Sequence, residues 1–271
     1  MSCAGVARPP ATAAGRSGPA EQLIRCAARM DTRPFRLLVF DWDGTLMDSI
    51  GTIVDCTLAA FAALDDVAAG DPPAPEQIRE CVGLGLVETM QRHFPDWDDV
   101  LSARLVDNYR RLWRADYKDR VALFPGSFAV VEGLHAAGYL LGVATAKGRA
   151  GLERELDATG LRPFFHATRT VDEAPSKPAP GMLLGLFAEL GVRATEAVMI
   201  GDTSFDLEMA GNAGCAGVGV LSGGQRLEHL APHRPLAVLP SVRELPAWLG
   251  RFGPLGRRAD LVRPNEPALQ P

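Results

Sequence analysis

The pattern of apolar positions changes along the chain, and each change predicts a different kind of secondary structure. The run 35–40 is almost purely apolar, which is typical of a buried parallel strand. Apolar residues then follow helical spacing from Ile50 onward. The prolines of 71–75 break this spacing, and further helices are predicted near Glu76 and over 98–117. No strand-like run occurs in this stretch, so it predicts an all-helical insert after the first strand.

From Leu123 onward, strand-like apolar runs alternate with segments of helical spacing. The predicted strands are 139–144, 164–168, 197–200, 216–220 and 236–239, and the predicted helices are 128–137, 151–159, 182–190, 207–213 and 242–249. Such alternation indicates the fold class α/β, with a doubly wound parallel sheet. Its core would be formed by 35–49 and 122–249, with a small helical domain over 50–121 inserted after the first strand.

The two ends of the chain differ in composition from the part between them. The first 29 residues are rich in Ala, Arg, Pro and Gly, and we expect a disordered extension over 1–34. A transit-type leader and a translation start at Met30 are the alternatives. Residues 250–271 are rich in proline and poor in apolar residues, so a disordered tail is expected there.

Composition and charge narrow the class of function. The chain of 271 residues is long enough to bury a large core, and its apolar fraction of 47% is that of an ordinary globular protein. The net charge of −5 argues against a dedicated nucleic-acid binder. No apolar stretch approaches the length that spans a membrane. The five cysteines are scattered without a Cys-x-x-Cys pair, which fits a reducing, cytoplasmic location.

Two carboxylates follow the first predicted strand directly. Asp41 and Asp43 are two residues apart in extended chain, so their side chains point to the same side. They also lie at the strand end where open α/β sheets bind ligands. Two close carboxylates repel unless a cation or a proton lies between them. The pair therefore predicts either a divalent-metal site with a nucleophilic or acid/base carboxylate, or a strand end followed by an Asp-Gly turn.

Three later segments carry further polar residues at or near the ends of predicted elements. These residues are Thr145, Lys177, and Asp202 with Asp206. The binding crevice of such a sheet lies outside the carboxyl ends of its strands, so these side chains would converge with the aspartate pair. A carboxylate, a hard cation, a hydroxyl and a lysine together suit phosphoryl transfer. Taken singly, Lys177 would be a surface lysine, and Thr145 and Asp202 would each cap a helix.

Together these segments resemble the haloacid dehalogenase (HAD) superfamily of phosphohydrolases. The matching residues are Asp41-x-Asp43-Gly44-Thr45-Leu46 for the first motif, Thr145 for the second, Lys177 for the third, and Gly201-Asp202-Thr203 with Asp206 for the fourth. The resemblance extends over about 35–249 and is nearest to the phosphoglycolate phosphatase-like branch. It implies a HAD-like Rossmannoid core, in which the helical insert looks like a C1-type cap.

The resemblance implies a catalytic and metal-binding role for three aspartates. Asp41 would be the nucleophile that attacks phosphorus. Asp43 would protonate the leaving alcohol and then activate water. Mg²⁺ would be held by Asp41, the backbone carbonyl of Asp43, and Asp202. Trp42, between the first two aspartates, would point away from them and pack in the core.

The remaining matching residues would bind the phosphate. Thr145 and Lys177 would contact its oxygens, together with Gly44 and Ala146. The branch commonly has asparagine at the position of Ala146, so one hydrogen bond to the substrate is expected to be missing. Asp206 would orient Lys177 or a metal-bound water.

The expected function is therefore a Mg²⁺-dependent phosphatase that hydrolyses a small, phosphoglycolate-like phosphomonoester through an aspartyl-phosphate intermediate. Its partner would be this small-molecule phosphate ester, with no nucleic acid and no membrane, and the sequence leaves the oligomeric state open. A sugar phosphomutase of the same fold and a non-catalytic module that binds a phosphate ligand are the alternatives. A haloacid dehalogenase proper has no use for the acid/base Asp43.

Overall fold

The computed structural model describes residues 34–64 and 70–252, and a parallel sheet lies at the centre of this part. The strands are β1 (Leu37–Phe40), β2 (Met47–Asp48), β3 (Ala122–Leu123), β4 (Leu140–Thr145), β5 (Ala167–Thr170), β6 (Ala197–Gly201), β7 (Ala216–Val220) and β8 (Ala237–Leu239). Six of them form the sheet, in the order β5-β4-β1-β6-β7-β8, and all of its pairs are parallel. The predicted fold class is confirmed. The expectations for 1–33 and 253–271 lie outside the described residues.

Strand β1 occupies the middle of the sheet because its side chains are apolar on both faces. Leu38 and Phe40 pack in the core on one face, and Leu37 and Val39 pack in the core on the other. Alternation of side chains along a strand produces this division. The chain winds outward from β1 in both directions, through β4 on one side and β6 on the other. The carboxyl end of β1 is therefore the switch point at which such sheets bind ligands.

Helices cover the sheet and fill the segment between β2 and β3. They are α1 (Ile50–Ala62), α2 (Pro75–Cys81), α3 (Leu86–His93), α4 (Asp99–Leu112), α5 (Ser127–Ala136), α6 (Arg149–Thr159), α7 (Gly181–Leu190), α8 (Ser204–Asn212), α9 (Leu227–Leu230) and α10 (Leu245–Gly250). Three of the first four, α1, α3 and α4, share a small apolar core, which includes Phe61, Met90 and Leu105. None of the helices in the described residues has the length and apolar character needed to cross a membrane.

Two short strands connect the helical segment to the sheet. Met47 pairs with Leu123 and Asp48 pairs with Ala122, in antiparallel register. Phe124 N–H also donates to the Leu46 carbonyl at 2.9 Å. The segment that leaves the sheet and the segment that returns to it therefore lie side by side. Sequence pattern did not predict this pair, because two-residue strands are too short to show an alternation.

One local prediction was wrong, and two others were incomplete. The strand predicted over 164–168 begins only at Ala167, because Phe164 and Phe165 instead turn their rings into aromatic contacts with Phe128 and Phe40. Helix α3 was not predicted as an element separate from α2. The long helix predicted over 98–117 ends as α-helix at Leu112 and continues as a π-helical turn over Trp113–Tyr117.

Candidate active site

Asp41 is the first residue after β1, and its side chain is almost completely buried. Its backbone N–H donates to the Ile200 carbonyl at 2.9 Å, which extends the pairing of β1 with β6 by one residue. Its Oδ1 lies 2.6 Å from Lys177 Nζ. Its Oδ2 is buried and has no hydrogen-bond partner among the described residues. A buried carboxylate oxygen without a partner is costly, so this atom indicates a position for a ligand.

Asp43 lies two residues further on, and its carboxylate has a different set of partners. Ser49 Oγ donates to Asp43 Oδ1 at 2.7 Å, and Lys147 Nζ lies 3.2 Å from Asp43 Oδ2. Between the aspartates and α1 the chain turns at Gly44, whose N–H donates to the Met47 carbonyl at 2.8 Å. The predicted Asp-Gly turn is thus present, but both aspartates are also engaged with cationic side chains. The two carboxylates therefore have different partners, although they are only two residues apart in the sequence.

Lys177 is buried in the sheet's carboxyl edge, so its interpretation as a surface lysine is wrong. Its Nζ lies 2.6 Å from Asp41 Oδ1 and 2.7 Å from Asp206 Oδ1. Burial disfavours the charged ammonium group, but the carboxylates of Asp206 and Asp41 outweigh burial and raise the pKa of Lys177 above its usual value. Lys177 therefore remains a cation at neutral pH.

Asp202 and Asp206 follow β6 and have distinct structural roles. Asp202 accepts hydrogen bonds from Thr45 Oγ1 and from Gly224 N–H, both at 2.8 Å. Asp206 accepts from Thr203 Oγ1 at 2.7 Å and from Thr203 N–H at 3.1 Å, which forms a capping box at the start of α8. The helix cap is therefore Thr203, and the interpretation of Asp202 as an N-cap is wrong. The Asp202 carboxylate instead accepts from Thr45, in the loop after β1, and from Gly224.

Thr145 is the last residue of β4 and is also buried. Its Oγ1 accepts a hydrogen bond from Lys147 N–H at 3.1 Å. Helix α6 begins four residues later, with Gly148 as its N-cap, so Thr145 does not cap it. Ala146 follows Thr145, and both residues line the same cavity as Asp41. The structure thus brings the polar residues of β4 and β1 to one edge of the sheet.

Three carboxylates lie close together at this edge, and two of them, Asp41 and Asp206, contact the Lys177 ammonium group. One oxygen each of Asp41, Asp202 and Asp206 lie within 4.8 Å of one another. Burial raises the pKa of Asp41 well above its usual value, although Lys177 opposes the shift and the other two carboxylates reinforce it. Burial, followed by the charge of Asp206, raises the pKa of Asp202 to about 7. A hard divalent cation fits this site, because it would supply the missing positive charge and a partner for Asp41 Oδ2.

Glycines allow the backbone to approach these carboxylates. A Cβ on Gly201 would lie 2.2 Å from the Asp206 side chain, and a Cβ on Gly223 would lie 1.9 Å from Asp202 Oδ2. Neither residue could carry a side chain without displacing a carboxylate. Gly223 was not predicted from the sequence, because nothing in its local pattern indicates contact with Asp202, which follows a different strand.

A cavity of about 720 Å³ opens above the sheet edge, between the sheet and the helical segment. Asp41, Asp43, Thr145 and Ala146 lie on its sheet side. The helical segment contributes mostly apolar and aromatic side chains, which include Ile53, Val82, Leu84, Leu86, Tyr109 and Trp113. Gly83 and Gly85, in the loop between α2 and α3, also line it. The cavity is large enough for a small organic molecule attached to a phosphate group.

Four polar residues beside the predicted set had been given no role from the sequence. They are Thr45, Ser49, Lys147 and Glu155. Thr45 and Ser49 lie within the first motif, and Lys147 is two residues after Thr145, so their proximity in sequence was an available signal. Glu155 had no such signal, because Trp42, which donates a hydrogen bond to it, lies 113 positions away in the sequence. Trp42 is buried as predicted, but it also donates this hydrogen bond.

Comparison with known proteins agrees with the geometry. A family model described as haloacid dehalogenase-like hydrolase matches residues 38–220. The phosphoglycolate phosphatase of Rhodospirillum rubrum is 32% identical over 232 residues, which cover 82% of this chain and 94% of that protein. The pyrophosphatase PpaX of Bacillus pumilus is 28% identical over 222 residues, which cover 82% of this chain and 99% of that protein. A crystal structure of a hydrolase from Pseudomonas syringae superposes with a TM-score of 0.70 at 25% identity and covers 79% of this chain and 98% of that one.

Proposed function

The chain belongs to the haloacid dehalogenase-like hydrolase family, and from this premise we propose that it is a Mg²⁺-dependent phosphatase. Its substrate would be a small, phosphoglycolate-like phosphomonoester. The observation that carries the proposal is the position of Asp41, whose Oδ1 is paired with Lys177 while its buried Oδ2 has no partner among the described residues. A carboxylate held in this way at the floor of a cavity is suited to attack phosphorus.

The proposed reaction has two halves, and each uses the same pair of aspartates. In the first, a carboxylate oxygen of Asp41 forms a bond to phosphorus, the bond to the leaving oxygen breaks, and Asp43 protonates that oxygen. In the second, Asp43 takes a proton from water, which attacks the aspartyl-phosphate and frees Asp41. The separate partners of Asp43, Ser49 and Lys147, support a role distinct from that of Asp41.

The remaining residues would bind the phosphoryl group and a metal ion. Lys177, the Thr145 hydroxyl, and the Gly44 and Ala146 backbone would hold the phosphoryl oxygens, on which negative charge builds up during transfer. Asp206 would keep Lys177 in place through their 2.7 Å contact.

Mg²⁺ would be held by Asp41, Asp202 and the backbone carbonyl of Asp43. When bound, it would neutralise charge on the phosphoryl oxygens. Its fit rests on the excess of three buried carboxylates over one lysine.

We also propose that the segment 50–121 is a cap that covers the substrate. The paired strands β2 and β3 connect it to the core on one side, and the cavity lies beneath it. Opening would admit substrate, and closure would exclude water from the aspartyl-phosphate. The cap side chains that line the cavity would then contact the leaving group and not the phosphate.

The first test is phosphate release over a panel of phosphoglycolate, sugar phosphates, nucleotides and pyrophosphate, with and without Mg²⁺. We expect Mg²⁺-dependent release from at least one phosphomonoester. Asp41→Asn should lower kcat/KM by at least about 10³-fold, because it removes the nucleophile. The matched control is Asp157→Asn on the exposed face of α6, which should retain wild-type activity within about twofold.

The same panel separates the alternatives. Full activity of Asp41→Asn would refute the assignment of the nucleophile. Interconversion of sugar phosphate isomers without release of phosphate would favour a phosphomutase. Tight binding of a phosphate compound without turnover of any member of the panel would favour a binding module.

A further inference from the structure

The carboxylate of Asp43 belongs to a closed network of side chains. Lys147 Nζ lies 3.2 Å from Asp43 Oδ2 and 3.1 Å from Glu155 Oε1. Trp42 Nε1 donates to the other oxygen of Glu155, Oε2, at 2.7 Å. Because Trp42 and Asp43 are adjacent in the chain, the network returns to the strand end from which it started.

Glu155 is held in position on both sides within this network. It lies on α6, and only 3% of its surface is exposed; its Oε2 accepts a hydrogen bond from Trp42, and its Oε1 forms an ion pair with Lys147. A buried carboxylate is stable only when it is paired and hydrogen-bonded. The Trp42 indole, which packs against Phe165, is itself completely buried and holds one side of Glu155 in place. The other oxygen can therefore hold Lys147 in one position.

Lys147 has neighbours on three sides. Asp43 and Glu155 flank its ammonium group, which also lies 5.1 Å from the centre of the Trp113 ring in the helical segment. This distance is within the range of a cation–π contact. Its side chain is only 11% exposed and lines the cavity above Asp41. Lys147 thus lies where the proposed cap meets the proposed acid.

We propose that Lys147, held by Glu155, is a positioning residue that orients the Asp43 carboxylate toward the leaving oxygen. This inference rests on the proposed phosphatase reaction. When the bond between phosphorus and the leaving oxygen breaks, its electron pair remains on that oxygen, which takes the proton of Asp43. Ser49 fixes one oxygen of Asp43 and Lys147 fixes the other, so the carboxylate is restrained from both sides. Loss of Lys147 would allow the Asp43 carboxylate to rotate.

The inference predicts a dependence on the leaving group. An alkoxide is a strong base and needs a proton as it departs, whereas p-nitrophenolate leaves without one. A misplaced Asp43 should therefore slow the transfer from an alkyl phosphate much more than the transfer from p-nitrophenyl phosphate. The proper readout is kcat/KM, which reports the half-reaction that expels the leaving group. A residue with a merely structural role would lower both values equally.

The test compares Lys147→Met with wild type on p-nitrophenyl phosphate and on the best alkyl phosphate of the panel. We expect kcat/KM for the alkyl phosphate to fall about 10- to 100-fold, a part of the 10²–10⁴-fold that positioned proton transfer contributes. For p-nitrophenyl phosphate it should fall less than about threefold. Lys147→Arg, which keeps the charge, should recover part of the loss.

Two further variants keep the test decisive. Glu155→Gln touches no reacting atom and keeps an acceptor for Trp42, so it should show the same selectivity with a smaller loss. Arg162→Met removes an exposed cation that pairs with Glu153 and Asp157, and it should not change the ratio of the two substrates. Thermal unfolding is measured on each variant. If Lys147→Met does not fold, Glu155→Gln alone decides.

The possible failures are distinguishable. Equal losses on both substrates, in folded Lys147→Met and Glu155→Gln, would overturn the positioning role while the phosphatase assignment stands. Absence of wild-type activity on every phosphomonoester would refute the proposed function itself.

Discussion

Gly44 adopts a φ of +84°, and a Cβ placed on it would lie 2.4 Å from Asp202 Oδ2. Glycine is required here for two separate reasons. Any other residue would strain the backbone by roughly 1–2 kcal/mol in this left-handed conformation. Its side chain would also displace a carboxylate that accepts hydrogen bonds from Thr45 and Gly224. A residue without a side chain thus determines where Asp202 lies.

We therefore predict that Gly44→Ala weakens Mg²⁺ binding and stability together. The Cβ must push Asp202 away from Asp41, so the Mg²⁺ concentration for half-maximal activity should rise at least about tenfold, equivalent to about 1.4 kcal/mol. The free energy of unfolding without metal should fall by roughly 1–3 kcal/mol. Mg²⁺ titrations of activity and denaturant unfolding measure the two effects.

The matched control is Gly133→Ala within α5, where no atom lies within 4 Å of the added Cβ. Alanine is the better helix former, so this variant should gain about 0.5–1 kcal/mol and bind Mg²⁺ like wild type. An unchanged Mg²⁺ requirement in Gly44→Ala would contradict the placement of Asp202 beside the metal.

At the scale of elements, few polar contacts join the helical segment to the sheet. Gln225 makes one of them, together with a second contact inside the core that holds its side chain in place. Its Oε1 accepts from Ser204 N–H at the start of α8 at 2.7 Å, and its Nε2 donates to the Glu80 carbonyl in α2 at 2.9 Å. Ser176 Oγ, next to Lys177, accepts from Gly85 N–H at 3.0 Å. These contacts hold α2 and α3 over the loops that carry Lys177 and Asp202.

Gln225→Ala should loosen this attachment. It removes both contacts, including the side-chain acceptor of the half-buried Ser204 N–H, and each lost hydrogen bond should cost about 0.5–1.5 kcal/mol. Hydrogen exchange should accelerate in 75–93 and stay unchanged in β1 and β6. Gln91→Ala, on the exposed face of α3, is the control and should exchange like wild type. Faster exchange across the whole sheet would show global destabilisation instead.

At the scale of the whole molecule, the candidate site concentrates negative charge inside an acidic protein. The net charge is −5, and three buried carboxylates lie close together, two of them in contact with one lysine. Burial and the neighbouring Asp206 raise the pKa of Asp202 from 3.8 to about 7. Between these two values the folded protein holds a proton that the unfolded chain has released. The contribution of this group to the free energy of unfolding therefore falls as the pH rises from about 4 to about 7.

Mg²⁺ should reverse this loss, because it binds the carboxylates without their protons. At about 100 times its dissociation constant and near pH 8, Mg²⁺ should stabilise the protein by about 2–3 kcal/mol. Near pH 5 the same concentration should stabilise it by less than half as much. Thermal unfolding at both pH values, with and without Mg²⁺, checks the prediction. Asp202→Asn should reduce the effect at pH 8, and equal effects at both pH values would contradict the metal site.

Sequence pattern was sufficient for the elements whose periodicity is long and unbroken. The apolar run of β1 predicts a buried strand in any context, because a strand buried on both faces must be apolar throughout. The strand predicted at Phe164 was wrong because an aromatic pair packs equally well from a 3₁₀ turn, and only the surrounding rings decide between the two. Helix α3 was missed because it is short and joined closely to α2.

The sequence by itself determined the fold class, which strand ends carry Asp41, Asp43, Thr145 and Asp202, and that Lys177 lies in a loop before a helix, because strand periodicity and chain order are local properties. Only the tertiary structure decided that Lys177 is buried between Asp41 and Asp206, and that Lys147 and Glu155 flank Asp43. These contacts join residues more than one hundred positions apart or on separate elements. Their distances depend on how the sheet packs, which no local pattern encodes.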